Sequence, residues 1–249
     1  MRQFKEIVIA IFVIAAVSFL LYSLVQSDNK KKNKELAKRI AELSPKGGPP
    51  ETIEGLRQAI ALYEDQIERN VREGAQTGTY WKILAIRLSD KKMHNDALKA
   101  LERAIYFIPE DPVLYNLAGV SAGIVAKSVV GFTVSAEKER DQYFKLAENS
   151  YKRALELDAT YTKPMYGLAV LYVFELNRPA EAIPYLERYL SMNTSDFQAM
   201  FILARAHAVT GNYKQAIEIY EKIISRSKKK DIQAEASNNI EIVQRMMYE

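Results

Sequence analysis

Residues 200–223 read MFILARAHAVTGNYKQAIEIYEKI, and this stretch contains an alanine pair, Ala204 and Ala216. Ala85 and Ala97 have the same spacing, Ala169 and Ala182 are one position further apart, and Ala118 and Ala147 are more than twice as far apart. Three of the units recur about every 34 residues, which is typical of stacked helical hairpins. A hairpin of this kind cannot bury its own apolar face, and small alanine side chains let its two helices approach closely. The sequence therefore predicts an all-α fold.

Further residues recur around these alanines in the same order in each unit. They are Trp81, Leu84, Leu88, Leu101, Ala104 and Pro109 in the first unit; Leu114, Leu117, Tyr151 and Ala154 in the second; Met165, Leu168, Tyr172 and Leu186 in the third; and Met200, Leu203, His207, Gly211, Tyr213, Tyr220 and Ile223 in the fourth. This pattern resembles the tetratricopeptide repeat family over residues 78–230. The resemblance implies a right-handed α-solenoid of about four hairpins, the second of them expanded.

The composition divides the chain into five segments. These are an N-terminal transmembrane anchor at residues 1–27, a basic stalk and Gly/Pro linker at 28–50, a leading amphipathic helix at 51–76, four repeats at 77–230 and a C-terminal capping helix at 231–249. The repeats are expected at about residues 78–111, 111–161, 162–195 and 197–230, with an insertion at 123–142 in the second. A repeat array needs a solvated end helix such as the last segment provides.

Residues 7–25 form an uninterrupted stretch without a charge. As a helix this stretch would span roughly 28 Å, about the hydrocarbon thickness of a bilayer. A cleaved signal peptide is the alternative, but its apolar core is normally shorter and ends in a small-residue cleavage site. No such site follows Val25. The stretch therefore predicts an uncleaved single-pass membrane anchor.

The charges around the anchor bear on its orientation. Residues 1–39 carry eight Lys or Arg against three acidic residues, a net of +5, and most of the basic residues follow the anchor. By the positive-inside tendency this favours the cytoplasmic side of the cell or inner membrane for the repeats. A short N-terminal tail that stays inside would instead place the repeats on the periplasmic or extracytoplasmic side. Since the whole chain carries +4, the rest of the sequence sums to −1 and offers no basic surface for nucleic acid.

An amphipathic helix is predicted between the linker and the first repeat. Its apolar residues follow steps of three and four, and they are Ile53, Leu56, Ile60, Tyr63, Ile67 and Val71. The stripe is expected to pack on the first repeat, with self-association as a coiled coil as the alternative. Gly74 and Gly78 are expected to flank a turn before the first repeat.

The second repeat is longer than the others, judged by the wide interval between Ala118 and Ala147. Both of its helices are therefore expected to be lengthened, with a turn near residues 131–135. The tip of this hairpin, with Val129, Val130 and Phe132, is a candidate docking surface for a partner, a second copy or the bilayer. The alternative is that the extension folds back and covers its own apolar stripe.

The resemblance also implies a binding groove, because partner peptides in this family lie along the concave face formed by the first helix of each hairpin. The corresponding residues are Lys82, Ile86, Tyr115, Asn116, Lys163, Tyr166, Val170, Phe201 and Arg205. The aromatic residues recur one repeat apart and are expected to form a ladder for apolar anchors of a partner, while the cations orient its acidic groups. The alternative is that the aromatic rings pack between adjacent first helices.

The carboxylate clamp by which some members of this family grip the acidic C-termini of chaperones is only partly present. Lys82, Asn116 and Lys163 match three of its five positions. Ile86 and Gly167 replace the remaining asparagine and arginine. Loss of the guanidinium fork removes much of a bidentate grip on a carboxylate, so this ligand is not expected.

The sequence favours a function in protein binding. It contains no phosphate-binding glycine loop, zinc-protease motif, nucleophile elbow or cysteine, so neither catalysis nor a cofactor or metal site is expected. The predicted function is a membrane-anchored scaffold or adaptor that binds segments of partner proteins in the concave groove. The alternatives are an oligomerising structural subunit of a membrane-associated or envelope assembly, and a targeting receptor for a translocation complex.

Overall fold

The computed structural model of the protein describes residues 27, 30–31, 34–39, 41–42, 52–131 and 133–248. All regular structure within these ranges is helical, and the chain separates into two compact units divided between Glu73 and Gly74. No helix in this part of the chain is long and apolar enough to cross a membrane. The predicted anchor, residues 7–25, lies outside the described residues and stays a prediction.

From residue 52 onwards the described chain forms nine α-helices. They are α1 (Ile53–Asp90), α2 (His94–Phe107), α3 (Pro112–Ser128), α4 (Val134–Leu157), α5 (Thr162–Val170), α6 (Pro179–Met192), α7 (Phe197–Val209), α8 (Tyr213–Arg226) and α9 (Lys230–Tyr248). A π-helical segment, Leu171–Glu175, continues α5. From α2 onwards each helix packs on the next. The first helices of the four hairpins are the end of α1, α3, α5 and α7, and the second helices are α2, α4, α6 and α8.

The alanine pairs lie where the helices of each hairpin meet. All eight are buried, with at most 6% of the residue exposed: Ala85, Ala97, Ala118, Ala147, Ala169, Ala182, Ala204 and Ala216. Because protein interiors are closely packed, a larger side chain at these places would force the two helices apart. The prediction of an all-α array of helical hairpins is confirmed for the described residues.

The third hairpin contains one residue more than the first and the fourth. The turn residue with positive φ follows the first alanine by seven residues in hairpins one and four, at Lys92 and Gly211, but by eight at Asn177 in hairpin three. The extra residue therefore precedes the turn, where the π-helical segment lies. A π-bulge is how a helix accommodates one additional residue without breaking.

The helix α1 is continuous over 38 residues, so the turn predicted between Gly74 and Gly78 is wrong. A glycine within a helix costs only about 1 kcal/mol relative to alanine, which neighbouring contacts can offset. A Cβ at Gly78 would lie 2.9 Å from the Cβ of Phe107 at the end of α2. Gly78 therefore marks a close approach of two helices rather than a turn.

The apolar stripe at the beginning of α1 is exposed. Its six residues range from 40% exposed at Leu56 to 73% exposed at Ile53. The prediction that this stripe is buried against the first repeat is therefore wrong. Burial of the stripe on the first repeat required a turn near Gly74 and Gly78, and the continuous helix α1 has no turn there.

The second hairpin carries its extra residues mainly in its second helix. α3 has 17 residues and α4 has 24, whereas α2, α6 and α8 have 14 each. Val125 and Ala126, near the end of α3, are buried, whereas Val130 and Val134 are 94% and 82% exposed. The extension thus covers part of its own apolar stripe, and the turn between its helices is exposed.

Tyr151 of α4 packs between glycines of two neighbouring first helices. A Cβ at Gly119 of α3 would lie 2.6 Å from the Tyr151 ring, and a Cβ at Gly167 of α5 would lie 2.7 Å from it. Tyr151 is buried, and this burial raises the pKa of its hydroxyl to about 12. The two glycines therefore make the space in which one ring joins α3 to α5.

Replacing Gly119 with alanine is expected to lower the free energy of unfolding by about 1–3 kcal/mol, because the new methyl group overlaps the Tyr151 ring. Gly123→Ala is the matched control, four residues later in the same helix with open space around its Cβ. That change is expected to raise the free energy by up to about 1 kcal/mol. Urea denaturation measures both shifts, and shifts of the same sign would contradict the packing of Tyr151.

Candidate functional site

Two contacts join the first helices α3, α5 and α7 along one face. Lys127 Nζ of α3 lies 3.3 Å from Glu175 Oε1 in the π-helical segment that continues α5. The guanidinium of Arg205 on α7 lies 5.5 Å from the ring centre of Phe174 in the same segment. The π-helical segment therefore lies between α3 and α7 on this face.

Exposed apolar side chains accompany these contacts on all three helices. Ile124 is 39% exposed, Phe174 49% and Val209 51%. Ile124 lies one helical turn before Lys127, and Val209 lies one turn after Arg205, so each shares a side of its helix with a contact residue. We call this surface the first-helix face, defined by these five residues. An apolar row flanked by cations suits a partner segment with apolar anchors and acidic groups.

The cations of the predicted groove lie in different surroundings. Lys82 Nζ donates to Asp111 Oδ2 at 2.6 Å, and Asp111 Oδ1 accepts a hydrogen bond from Val113 N at 2.9 Å as the N-cap of α3. Lys82 therefore ties α1 to the beginning of α3. Lys163 is exposed and has no hydrogen bond or ion pair within the described ranges. Of these three predicted cations, Arg205 is the one that belongs to the first-helix face.

Two of the predicted ladder aromatics pack on the second helix of their own hairpin. The ring centres of Tyr166 and Tyr189 are 5.3 Å apart, and those of Phe201 and Tyr220 are 5.8 Å apart. Tyr166 and Phe201 are half-buried by these contacts. Their role as anchors for a partner stays a prediction, and alanine at either position would also remove packing within the hairpin.

The third ladder aromatic, Tyr115, lies at a cleft of about 1170 Å³ between α2, α3 and α4. Its hydroxyl donates to Pro109 O at 3.0 Å. Val129 and Val130 of the predicted tip line the other part of this cleft. The third tip residue, Phe132, lies outside the described residues. The ladder expected of Tyr115, Tyr166 and Phe201 therefore stays a prediction.

The remaining predicted groove residues are Asn116, Ile86 and Val170. Asn116 is buried, and its Oδ1 has no hydrogen-bond partner among the residues described. Ile86 is exposed on α1 and Val170 is half-buried at the end of α5. No described hydrogen bond joins Asn116 to Lys82 or Lys163.

Three members of the first-helix face, Ile124, Phe174 and Val209, are not among the residues that the sequence pattern indicates. A signal for two of them exists, because Phe174 follows Tyr166 by eight residues and Val209 follows Phe201 by eight. Residues eight apart lie on the same side of a helix. Their exposure depends on where each helix ends, which the repeat pattern does not contain.

A polar network fixes the position of the π-helical segment. Glu148 of α4 accepts hydrogen bonds from Lys152 Nζ at 2.7 Å, Tyr172 Oη at 3.0 Å and Arg178 Nη1 at 3.0 Å. Burial alone would raise the pKa of Glu148, but these hydrogen bonds outweigh it and lower the pKa to about 2. Arg178 also pairs with Glu181 at the beginning of α6. The network therefore joins α4 to the π-helical segment through Tyr172 and to the end of the following turn through Arg178.

Glu148→Gln is expected to lower the free energy of unfolding by about 2–3 kcal/mol, because Lys152 and Arg178 lose their common counter-charge. The matched control is Glu156→Gln on the same helix, which breaks an exposed ion pair with Arg153 and should cost less than about 1 kcal/mol. Urea denaturation at pH 7 measures both changes. Equal losses in the two variants would contradict a special role of the network.

The difference in the free energy of unfolding between the native chain and Glu148→Gln should depend on pH. The pKa of Glu148 is about 2 in the folded chain against an ordinary value of 4.5, so the unfolded chain binds the proton first. The stabilisation is therefore complete above pH 4.5 and is lost as the pH falls from 4.5 towards 2. The difference between the native chain and Glu148→Gln should narrow across this window. A difference that stays constant from pH 7 to pH 3 would refute the lowered pKa.

A comparison with protein families matches a tetratricopeptide repeat model to residues 168–232. This range begins in the third hairpin and runs through the fourth into α9. The match therefore covers the part of the chain that contains α7 and the π-helical segment, two of the three elements of the first-helix face.

Two curated proteins are similar to the chain over longer ranges. Anaphase-promoting complex subunit 3 of Schizosaccharomyces pombe is 21% identical over 227 residues, which cover 89% of this chain and 31% of that protein. A TPR repeat-containing protein of Borreliella burgdorferi is 20% identical over 196 residues, which cover 78% of this chain and 83% of that protein. The chain thus spans about a third of the length of the first relative.

Among solved structures, the chain is similar to YrrB, which is described as a TPR protein with an unusual peptide-binding site. The two share 20% identity with a TM-score of 0.56, over 71% of this chain and 80% of YrrB. At this identity the likeness shows the fold.

Proposed function

Because residues 168–232 match the tetratricopeptide repeat family and the chain folds like a tetratricopeptide repeat protein, we propose that it binds a segment of a partner protein on the first-helix face. Proteins built from these repeats mediate protein–protein interactions. The observation that carries the proposal is the row of exposed apolar side chains, Ile124, Phe174 and Val209, across three consecutive first helices. Contiguous exposed apolar surface on a folded domain marks interaction sites.

The chemistry of the face supports a particular kind of partner. Phe174 is the largest exposed apolar side chain of the row and provides the main anchor, since aromatic residues at the centre of an interface contribute most to affinity. Arg205 lies beside the Phe174 ring and is exposed, so its guanidinium can also pair with an acidic group. The proposed ligand is a segment with one or more apolar anchors and a nearby carboxylate.

We also propose that the chain holds this partner at a membrane as a scaffold or adaptor. The uncharged residues 7–25 support an anchor, and the excess of Lys and Arg that follows supports a cytoplasmic location of the repeats. Tethering raises the effective concentration of the binding face near membrane partners, so that modest affinities suffice. The exposed stripe of α1 favours a second candidate function, an oligomerising subunit of a membrane-associated assembly.

Phe174→Ala is expected to weaken peptide binding at least tenfold, because truncation removes the central apolar anchor. Peptides for this test are selected from a random displayed library against the full chain, and their affinities are measured by fluorescence anisotropy. The matched control is Tyr106→Ala, which truncates an aromatic residue that is 73% exposed on the second helix α2. The Tyr106→Ala variant should bind the selected peptides with the same affinity as the native chain.

Arg205→Glu separates the charge of the face from its apolar anchor. Peptides that carry an acidic residue should bind this variant more weakly, and the loss should shrink at high salt because screening weakens exposed charge pairs. Selected peptides that bind the native chain, Phe174→Ala and Tyr106→Ala equally well would refute the first-helix face as the site.

A further inference from the structure

The stripe at the beginning of α1 has the spacing of a coiled-coil seam. Five consecutive a and d positions of a heptad pattern are apolar: Ile53, Leu56, Ile60, Tyr63 and Ile67. All five are exposed by 40% or more, on a helix that is already formed. Thr52 Oγ1 accepts a hydrogen bond from Gly55 N at 3.0 Å and caps the beginning of this helix. An apolar seam of this kind, on a helix that is already formed, needs only a matching apolar surface in order to be buried.

We propose that the matching surface is the same stripe of a second copy of the chain, which packs antiparallel to the first as a two-helix coiled coil. The stripe shares no residue with the first-helix face, and the proposal rests on the second candidate function, self-association, and not on the binding of a partner segment. Its centre lies between Ile60 and Tyr63, so that Ile60 of one copy faces Tyr63 of the other. Leu56 of one copy then faces Ile67 of the other.

The charges beside the seam select the antiparallel arrangement. In a coiled coil the e and g positions flank the seam and decide which orientation is favoured. The charged residues at e are Arg57 and Glu64, and neither side chain has an ion pair or hydrogen bond in the described part of the chain. An antiparallel pair brings e positions opposite e positions, so Arg57 of each copy faces Glu64 of the other. The two-fold symmetry of a dimer forms this ion pair twice.

A parallel pair gains nothing comparable from these charges. In that arrangement e positions face g positions, and the g positions hold Thr52, Ala59 and Gln66, none of them charged. The antiparallel pair is therefore the one that these residues favour.

The charge of the helix also argues against a lipid surface as the occupant. Residues 52–73 contain five acidic residues, Glu54, Glu64, Asp65, Glu68 and Glu73, against three arginines, Arg57, Arg69 and Arg72, a net of −2. Helices that lie on a bilayer carry mainly Lys and Arg on their polar face, because the lipid headgroups are often anionic. A net negative helix would be repelled from such a surface, whereas it loses nothing by pairing through Arg57 and Glu64.

The absence of cysteine from the sequence allows a direct test of the register. Two single-cysteine variants of the full chain, Leu56→Cys and Ile67→Cys, are purified in mild detergent, one with an added tag, and oxidised alone and as a mixture. The mixture should give a disulfide between the two variants, because Leu56 and Ile67 face each other across the seam. Neither variant alone should cross-link, since its two copies of the cysteine are about 16 Å apart along the axis, beyond disulfide reach.

A charge-reversal series tests the same arrangement without cysteine. Arg57→Glu and Glu64→Arg should each weaken self-association at least fivefold, measured by sedimentation, because each creates two like-charge pairs. The double variant Arg57→Glu with Glu64→Arg restores both opposite-charge pairs and should recover the native dissociation constant. Arg72→Glu is the matched control, because Arg72 lies on the outer side of the helix and its reversal should leave the constant unchanged.

Four outcomes would overturn the proposal. Cross-links within each single variant would show a parallel pair, and no cross-link in the mixture would show that the seam does not pair with itself. A double reversal that fails to recover association would show that Arg57 and Glu64 do not face each other. If the chain stays monomeric and Ile60→Asp weakens its binding to anionic vesicles, the stripe binds lipid instead.

Discussion

The close contact between paired helices at alanine is the constraint on which the repeat region depends. Eight alanines, all buried, occupy the places where first and second helices meet. Because the helices approach so closely there, their larger side chains are directed between hairpins, where Tyr151 fits against Gly119 and Gly167. The first helices α3, α5 and α7 are thereby held side by side, and Ile124, Phe174 and Val209 stay exposed on them. The binding face is in this sense a consequence of the small residues behind it.

Much of this fold follows from the sequence, because alanine spacing reports directly on helix contacts. Even the additional residue in the third alanine interval has a structural counterpart in the π-helical segment Leu171–Glu175. The turn expected near Gly74 and Gly78 shows the limit of such reasoning. Glycine both ends helices and allows helices to touch, and only the proximity of Phe107 distinguishes the two uses at Gly78.

The candidate site was less accessible to prediction than the fold. Repeat position identifies which residues share a helix side, but not which of them a neighbour covers. Tyr166 is covered by Tyr189, whereas Phe174, two turns later on the same side, is exposed. The fourth hairpin repeats this contrast, with Phe201 half-buried and Val209 exposed, so exposure depends on how far along the helix a neighbouring helix reaches. Phe174 lies in the π-helical segment, which the Glu148 network holds in place. No local pattern of charges in the sequence specifies the geometry of this network.

The charges on the two exposed apolar surfaces explain why they suit different partners. On the first-helix face, the exposed Arg205 has no ion pair among the described residues, so this surface favours a partner segment with an acidic group. Beside the α1 stripe, Arg57 and Glu64 are of opposite sign and lie symmetrically about the centre of the seam. A two-fold axis through that centre turns one arginine and one glutamate per chain into two complementary pairs. Self-complementarity of charge thus distinguishes a surface for self-association from one for recognising another protein.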